Sequence, residues 1–226
     1  MTASAGIPSA GIPFAGIPFA GIPSAAFRFY ADLEQNNNRD WWLEHKPVYD
    51  AAVKVPLTQL LAELEPRFGP AKLFRPNRDV RFSPDKSPYK TAQGAFAAVD
   101  EGVGFYIQLS ADGLLIGGGC HTHTPARLAR FRGAVDDPDS GDALQAIVRN
   151  LEAAGFAVEG ERLKTVPRGF DKDHPRAELL KHKSLTAGVN VGQPGWLAGP
   201  GAVEEIARRW EELRPLVEWE GRYAAP

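Results

Sequence analysis

Four short runs rich in Val, Ile, Phe and Tyr follow one another through the middle of the chain, at residues 72–82, 91–99, 103–110 and 113–121, with Gly or Asp between them. Runs of this length and composition read as strands of an antiparallel sheet. Asp112-Gly113 is a hairpin turn signal between the last two. Periodicity is helical on both sides of this block. Strands clustered between groups of helices argue for an α+β fold, a central antiparallel sheet flanked by helices, rather than an alternating α/β one.

The helical stretches carry their own punctuation. Ser24 to Leu33 places Phe27, Tyr30 and Leu33 about one turn apart. Asn36-Asn37-Asn38 is a break, and Asn38 is a good N-cap for a helix bearing Trp41 and Trp42. One tryptophan is expected in the core and the other at a cleft or against basic side chains. Pro47 is expected to open the next helix, whose stripe is Leu57, Leu60, Leu61 and Leu64, with a kink at Pro56 and an end at Pro66 and Gly69. Thr124-Pro125 starts another helix. Leu144, Ile147, Val148 and Leu151 form a stripe that Gly155 closes. A strand is expected within 156–166 and a helix over 176–183. A last stripe of Val203, Ile206, Trp210 and Leu213 is expected to end before Pro215.

Residues 5–24 repeat a five-residue unit four times, as AGIPS, AGIPF, AGIPF and AGIPS. A unit this short with Gly and Pro in every copy cannot be helical and is too small for a solenoid repeat. The expected organisation is an extended tail over residues 1–18 and one α+β domain over 19–226. With 43% hydrophobic and 24% charged residues, such a domain needs no metal or disulfide to fold. The single cysteine, Cys120, excludes an internal disulfide, and a reducing cytoplasm is the simplest location. No run is long and apolar enough to span a bilayer, and the N-terminal segment lacks the pattern of a secretory signal. A net charge of -2 gives no general cationic field, which argues against nucleic acid or an acidic membrane as the partner.

Phosphate-loop, dinucleotide, paired-histidine and nucleophile-elbow motifs are all absent. The unusual stretch is Lys72 to Lys90, in which six basic residues (Lys72, Arg75, Arg78, Arg81, Lys86 and Lys90) outnumber Asp79 and Asp85 by four charges. If Arg78–Phe82 is a strand, Val80 and Phe82 face the core while Asp79 and Arg81 share the other face. Two readings stand. The arginines form structural ion pairs, with Asp171 and Asp173 as possible partners, or they bound an anion site for which a planar guanidinium is suited.

Cys120, His121 and His123 follow the run Gly117–Gly119. On a strand the two histidines share a face and Cys120 takes the other, so three ligands do not converge and no metal is expected. Asp171, Asp173 and His174 precede Pro175 and read as a helix start. Asp173 and His174 are also the nearest acid–base candidates if they face the basic strand.

Taken together, several segments resemble one family. They are Phe19-x-Gly21-Ile22-Pro23, Asn37-Asn38-Arg39-x-Trp41, Arg75-x2-Arg78-Asp79-Val80-Arg81-Phe82-Ser83-x-Asp85-Lys86-x-Pro88-Tyr89-Lys90, Gly117-Gly118-Gly119, and Pro167-x-Gly169-Phe170-x2-Asp173-His174-Pro175. Over roughly residues 19–217 the chain is similar to domain-of-unknown-function family 2461. The resemblance implies an organisation, not a mechanism. It also implies that the upstream AGIPF copies duplicate the Phe19–Pro23 segment, and it tells against a shared metal site at Cys120.

These features leave two functional expectations. In one, the protein binds, with or without acting on it, a small phosphate- or carboxylate-bearing ligand held by Arg75, Arg78, Arg81, Lys86 and Lys90 and oriented by Tyr89, without a cofactor. In the other, the same basic surface is a nucleic-acid or protein interaction module. A concave arginine cluster favours the first and a flat one the second.

Overall fold

The computed structural model describes residues 18–79, 81 and 85–224. Helices α1 (Ser24–Gln35), α2 (Arg39–Tyr49) and α3 (Val55–Phe68) lead into strand β1 (Ala71–Leu73). Strands β2 (Ala92–Asp100), β3 (Val103–Ser110) and β4 (Gly113–Cys120) follow as a meander. Helices α4 (Pro125–Asp136) and α5 (Pro138–Ala153), strand β5 (Ala157–Glu159), the short helix α6 (Ala177–Leu180) and strand β6 (Leu185–Asn190) come next. A 3-10 turn at Gly195–Ala198 precedes the long helix α7 (Ala202–Tyr223).

The strands form one six-stranded sheet in the order β1-β2-β3-β4-β6-β5, with every pair antiparallel. Alternation sends Phe105, Ile107, Leu109, Leu114, Ile116, Leu185 and Ala187 to one face, where they are buried beneath helices that include α1 and α7. On that face Phe105 packs against Phe68 and Trp210 at centroid distances of 5.1 and 5.4 Å. Gly118 lets α7 come close, since a Cβ there would lie 3.2 Å from Val217 and 3.5 Å from Leu213. The chain is anchored from Phe19 onward: Phe19 and Ile22 are buried, and Ile22 donates its N–H to the Leu197 carbonyl at 2.7 Å. Apart from exposed Pro18, the expected repeat tail lies outside the described residues. Among the described residues no helix is long and apolar enough to cross a membrane.

Several boundaries differ from the sequence expectation. Pro47 does not open a helix but lies inside α2, and α2 and α3 are joined by a π-helical turn at Asp50–Lys54. That wider turn, just ahead of Pro56, accommodates a ring that would otherwise strike the carbonyl four residues earlier. Helix α7 runs through Pro215 rather than ending before it. Leu216, Val217 and Trp219 beyond the proline are all buried, and their packing outweighs the lost backbone hydrogen bond. The first strand stops at Leu73 instead of reaching residue 82, because Pro76 has no N–H to give the ladder. Pairing resumes only as a single bridge, Asn77 with Tyr89, which closes a loop at its neck. The strand expected within 156–166 is confined to three residues, Ala157–Glu159, and the helix expected over 176–183 to four, Ala177–Leu180.

Candidate functional site: a glycine-floored cleft beside the basic loop

The second face of the sheet is covered differently. Its register lines up one row of residues across all six strands. Lys72 lies opposite Phe96, Phe96 opposite Tyr106, Tyr106 opposite Gly117, Gly117 opposite Gly188, and Gly188 opposite Ala157. Directly paired residues share a face, so this row runs from a lysine, over two aromatic rings, onto a floor with no side chains. Together with Gly104 the two glycines sink a cleft of about 770 Å³, walled by Phe74, Phe96, Tyr106, Leu115 and His121 and bordered by Glu159, Thr186 and Asn190. A mostly apolar concavity of this size with a few polar groups is the usual form of a small-molecule site.

The glycines differ in what they do. A Cβ on Gly104 would lie 2.1 Å from the Ala97 carbonyl oxygen, so this glycine is required by backbone proximity. A Cβ on Gly188 would meet nothing closer than 3.6 Å, so strand geometry does not demand glycine there. Its absent side chain leaves the floor open.

Polar chemistry in the cleft is sparse and positioned. The Tyr106 hydroxyl donates to Gln108 Oε1 at 2.8 Å, and burial raises its pKa. His121 Nδ1 lies 3.0 Å from the Gly102 carbonyl. A carbonyl only accepts, so Nδ1 carries the proton and Nε2 of the neutral ring is an acceptor. The ring also packs edge-on against Phe96 at 5.6 Å. His121 and Glu159 supply the cleft's imidazole and carboxylate.

The basic segment reaches the cleft at its β1 end. Lys72 shares the cleft face by register, Phe74 forms a wall, and Lys90 Nζ sits 5.7 Å above the Phe74 ring. Arg75 follows Phe74 and is exposed. Arg78 and Arg81 are not on a strand. Arg78 pairs with Asp85, and Arg81 holds Asp79 through Nε at 3.0 Å and Nη2 at 2.7 Å. Hydrogen bonds from Arg81 hold Asp79 below the usual carboxylate range, and Ser87, followed by Arg78, does the same for Asp85. The arginine partners are therefore the loop's own aspartates, not Asp171 or Asp173. Lys86 is exposed on the same loop. Val80, Phe82 and Ser83 lie outside the described residues.

Tyr89 is buried. Its ring stacks on Trp42 at 4.1 Å, and Asn37 clamps its backbone, donating to its carbonyl at 2.9 Å and accepting from its N–H at 3.1 Å. Asn38 caps α2 by accepting from Trp41 N–H at 3.0 Å. Trp42 is thus the core tryptophan, while half-buried Trp41 stacks on His45 at 4.1 Å.

Asp173 and His174 are not brought to the basic loop or the cleft. Asp173 is exposed beside Lys172, and His174 accepts from Arg176 N–H through Nδ1 while its Nε2 lies 3.2 Å from Asp136. His174 and Asp171, which accepts from Asp173 N–H at 2.9 Å, organise the turn that leads into α6.

A second cluster corrects the expected disposition of the cysteine and histidines. Strand β4 ends at Cys120, so alternation does not extend to His123. The chain turns towards the Thr124 cap of α4 and brings His123 back to the helix side with Cys120. There His123 Nε2 meets Glu220 Oε2 at 2.9 Å with both side chains fully buried. Burial disfavours a charged imidazole, but Cys120 and Glu220 together hold its pKa up to about 10. Burial also raises Glu220, so both shifts keep one proton on the pair.

The residues missed from sequence are Gly104, Gly188, Tyr106, Glu159 and Glu220. Only the Gly117–Gly119 run signalled the floor. No curated protein and no solved structure matches the chain. Its family model does, over residues 25–219, and the chain belongs to the conserved hypothetical protein family DUF2461.

Proposed function

We propose that this protein binds a small molecule with a flat apolar body and a phosphate or carboxylate group. The body lies on the Gly117 and Gly188 floor between the aromatic walls, and the anion points to the β1 end. The observation that carries the reading is the single row that runs from Lys72 over Phe96 and Tyr106 to the two glycines. Lys72, Arg75 and Lys90 are the contacts nearest the anion. Arg78, Arg81 and Lys86 add positive field from the loop, and Tyr89 fixes the loop's base. Even with its two aspartates paired, the segment keeps its excess of four positive charges. A concave cleft at the end of that segment favours a small ligand over an extended partner. A cytoplasmic location, expected from the lone cysteine, belongs to the same reading.

The test is a thermal-shift series at fixed ionic strength. It compares aromatic carboxylates and phosphates with their neutral amides, inorganic phosphate and a single-stranded oligonucleotide. A ligand at one hundred times its Kd stabilises the native state by about 2.7 kcal/mol. For a chain of this size that is a rise of roughly 5–10 °C. The aromatic anions should give it and the neutral analogues should not, and Lys90→Ala should reduce it. An equal response to neutral analogues, or a response to the oligonucleotide alone, would refute the reading.

A further inference from the structure

Behind the cleft, on the helix side of the sheet, we propose that Cys120, His123 and Glu220 form a closed zinc site. The three come from different places: the last residue of β4, the loop before α4, and the C-terminal part of α7. One donor atom from each lies within 4.8 Å of the other two. Zinc bound at about 2.3 Å to sulfur and about 2.0–2.2 Å to nitrogen and oxygen sets one ligand atom from each of the three residues roughly 3.3–3.6 Å apart at near-tetrahedral angles. The cluster is within about an ångström of that arrangement. The His123–Glu220 contact opens slightly and Cys120 draws in.

Three further observations point to a cation. His123 Nδ1 lies 2.9 Å from the Lys183 carbonyl, which fixes the proton on Nδ1 in the neutral ring and turns the Nε2 lone pair into the cluster. This is the outer-shell bond that orients a metal-binding histidine. Glu220 is fully buried, yet its Oε1 has no hydrogen-bond partner. A buried orphan acceptor costs about 1–3 kcal/mol, and it gives the carboxylate a second oxygen for the same ion. Charge also balances. A thiolate and a carboxylate offset Zn²⁺, and neighbouring Arg127 gives Nη2 to Asp100 at 2.8 Å while its buried Nε and Nη1 have no hydrogen-bond partner. Sulfur, nitrogen and carboxylate oxygen together suit zinc rather than magnesium or calcium. Metal binding requires deprotonated ligands, so loading weakens in acid.

The experiment uses the full chain, purified without chelators and analysed for metal. The chain is also refolded from denaturant with cobalt(II), because the donors are enclosed. The expected result is one zinc per chain as purified. After refolding, a thiolate-to-cobalt charge-transfer absorption should appear, be lost in Cys120→Ser, and need about tenfold or more cobalt in Glu220→Gln. The wild-type spectrum alone decides whether a thiolate binds the metal, even if a variant folds poorly. A wild-type protein that refolds with cobalt but shows no such band would overturn the site. So would zinc content unchanged in both variants.

Discussion

Gly188→Val separates a glycine kept for folding from one kept for an open floor. Position 188 lies in β6, between β4 and β5, opposite Gly117 and Ala157. A Cβ there would sit 3.6 Å from the Ile116 carbonyl oxygen, 3.8 Å from Gly117 Cα and 3.9 Å from a Leu115 methyl, all ordinary contacts. Nothing in the local backbone opposes valine. Glycine in a strand interior costs about 0.5–1 kcal/mol relative to alanine, and valine is better still on a half-buried sheet face. The variant should therefore be more stable by about 1 kcal/mol, or roughly 2–4 °C in Tm for a chain of this length. At the same time three carbon atoms stand on the cleft floor. Any ligand lying on it should bind at least about tenfold more weakly, a loss of ~1.4 kcal/mol. Urea melts and ligand-dependent thermal shifts on wild type and variant measure both quantities. Gly104→Ala is the control for a glycine that the backbone does require. Its Cβ would lie 2.1 Å from the Ala97 carbonyl oxygen, and overpacking of this kind costs about 1–3 kcal/mol. A destabilised Gly188→Val, or one that binds ligand as wild type does, would refute the reasoning.

Two more outcomes follow from the same geometry. Arg81→Ala should leave Tm within error, because the Arg81–Asp79 pair is 76% and 44% exposed, while it lessens stabilisation by aromatic anions; a large loss of Tm would make the loop scaffold. In chelator-treated protein, stability should peak near the ordinary histidine pKa of about 6.5. Burial lowers the pKa of His182, so the unfolded chain takes up that proton first and stability falls as pH drops below the peak. His123, held up to about 10, keeps its proton longer when folded, so its contribution is complete below about 6.5 and is lost as pH rises towards 10. His182→Asn should flatten the acid arm and His123→Asn the alkaline arm in pH-dependent urea melts; arms that do not respond would contradict these assignments.

The sheet was legible where alternation and turn chemistry agree. The run 103–110 and the Asp112-Gly113 turn led to β3 and β4 as found, and Asn38 and Thr124 cap the helices they were expected to cap. Proline misled in both directions. Pro76 keeps β1 from continuing past Leu73, whereas Pro215 does not end α7, because a buried continuation can outweigh a local penalty and an exposed strand end cannot. Strand β6 was not foreseen: Leu185, Ala187 and Val189 alternate, but Gly188 and Asn190 weaken the pattern. The basic segment stood out by charge, yet its meaning depended on register. That Lys72, Phe96, Tyr106, Gly117 and Gly188 form a row is a property of strand pairing, which lines up residues up to 116 apart in sequence, counted from Lys72 to Gly188. The same holds for Glu220, which reaches His123 across 97 residues.

The central claim is that the open face of the sheet is a ligand site whose anionic end is at β1. Amide chemical-shift mapping with the most stabilising aromatic anion tests it most directly. The account predicts perturbations at Lys72, Phe96, Gly104, Tyr106, Gly117, Gly188 and Lys90, with little change at Asp173 and His174. Perturbations confined to the exposed loop, or centred on Asp173 and His174 and absent from the glycine floor, would contradict it.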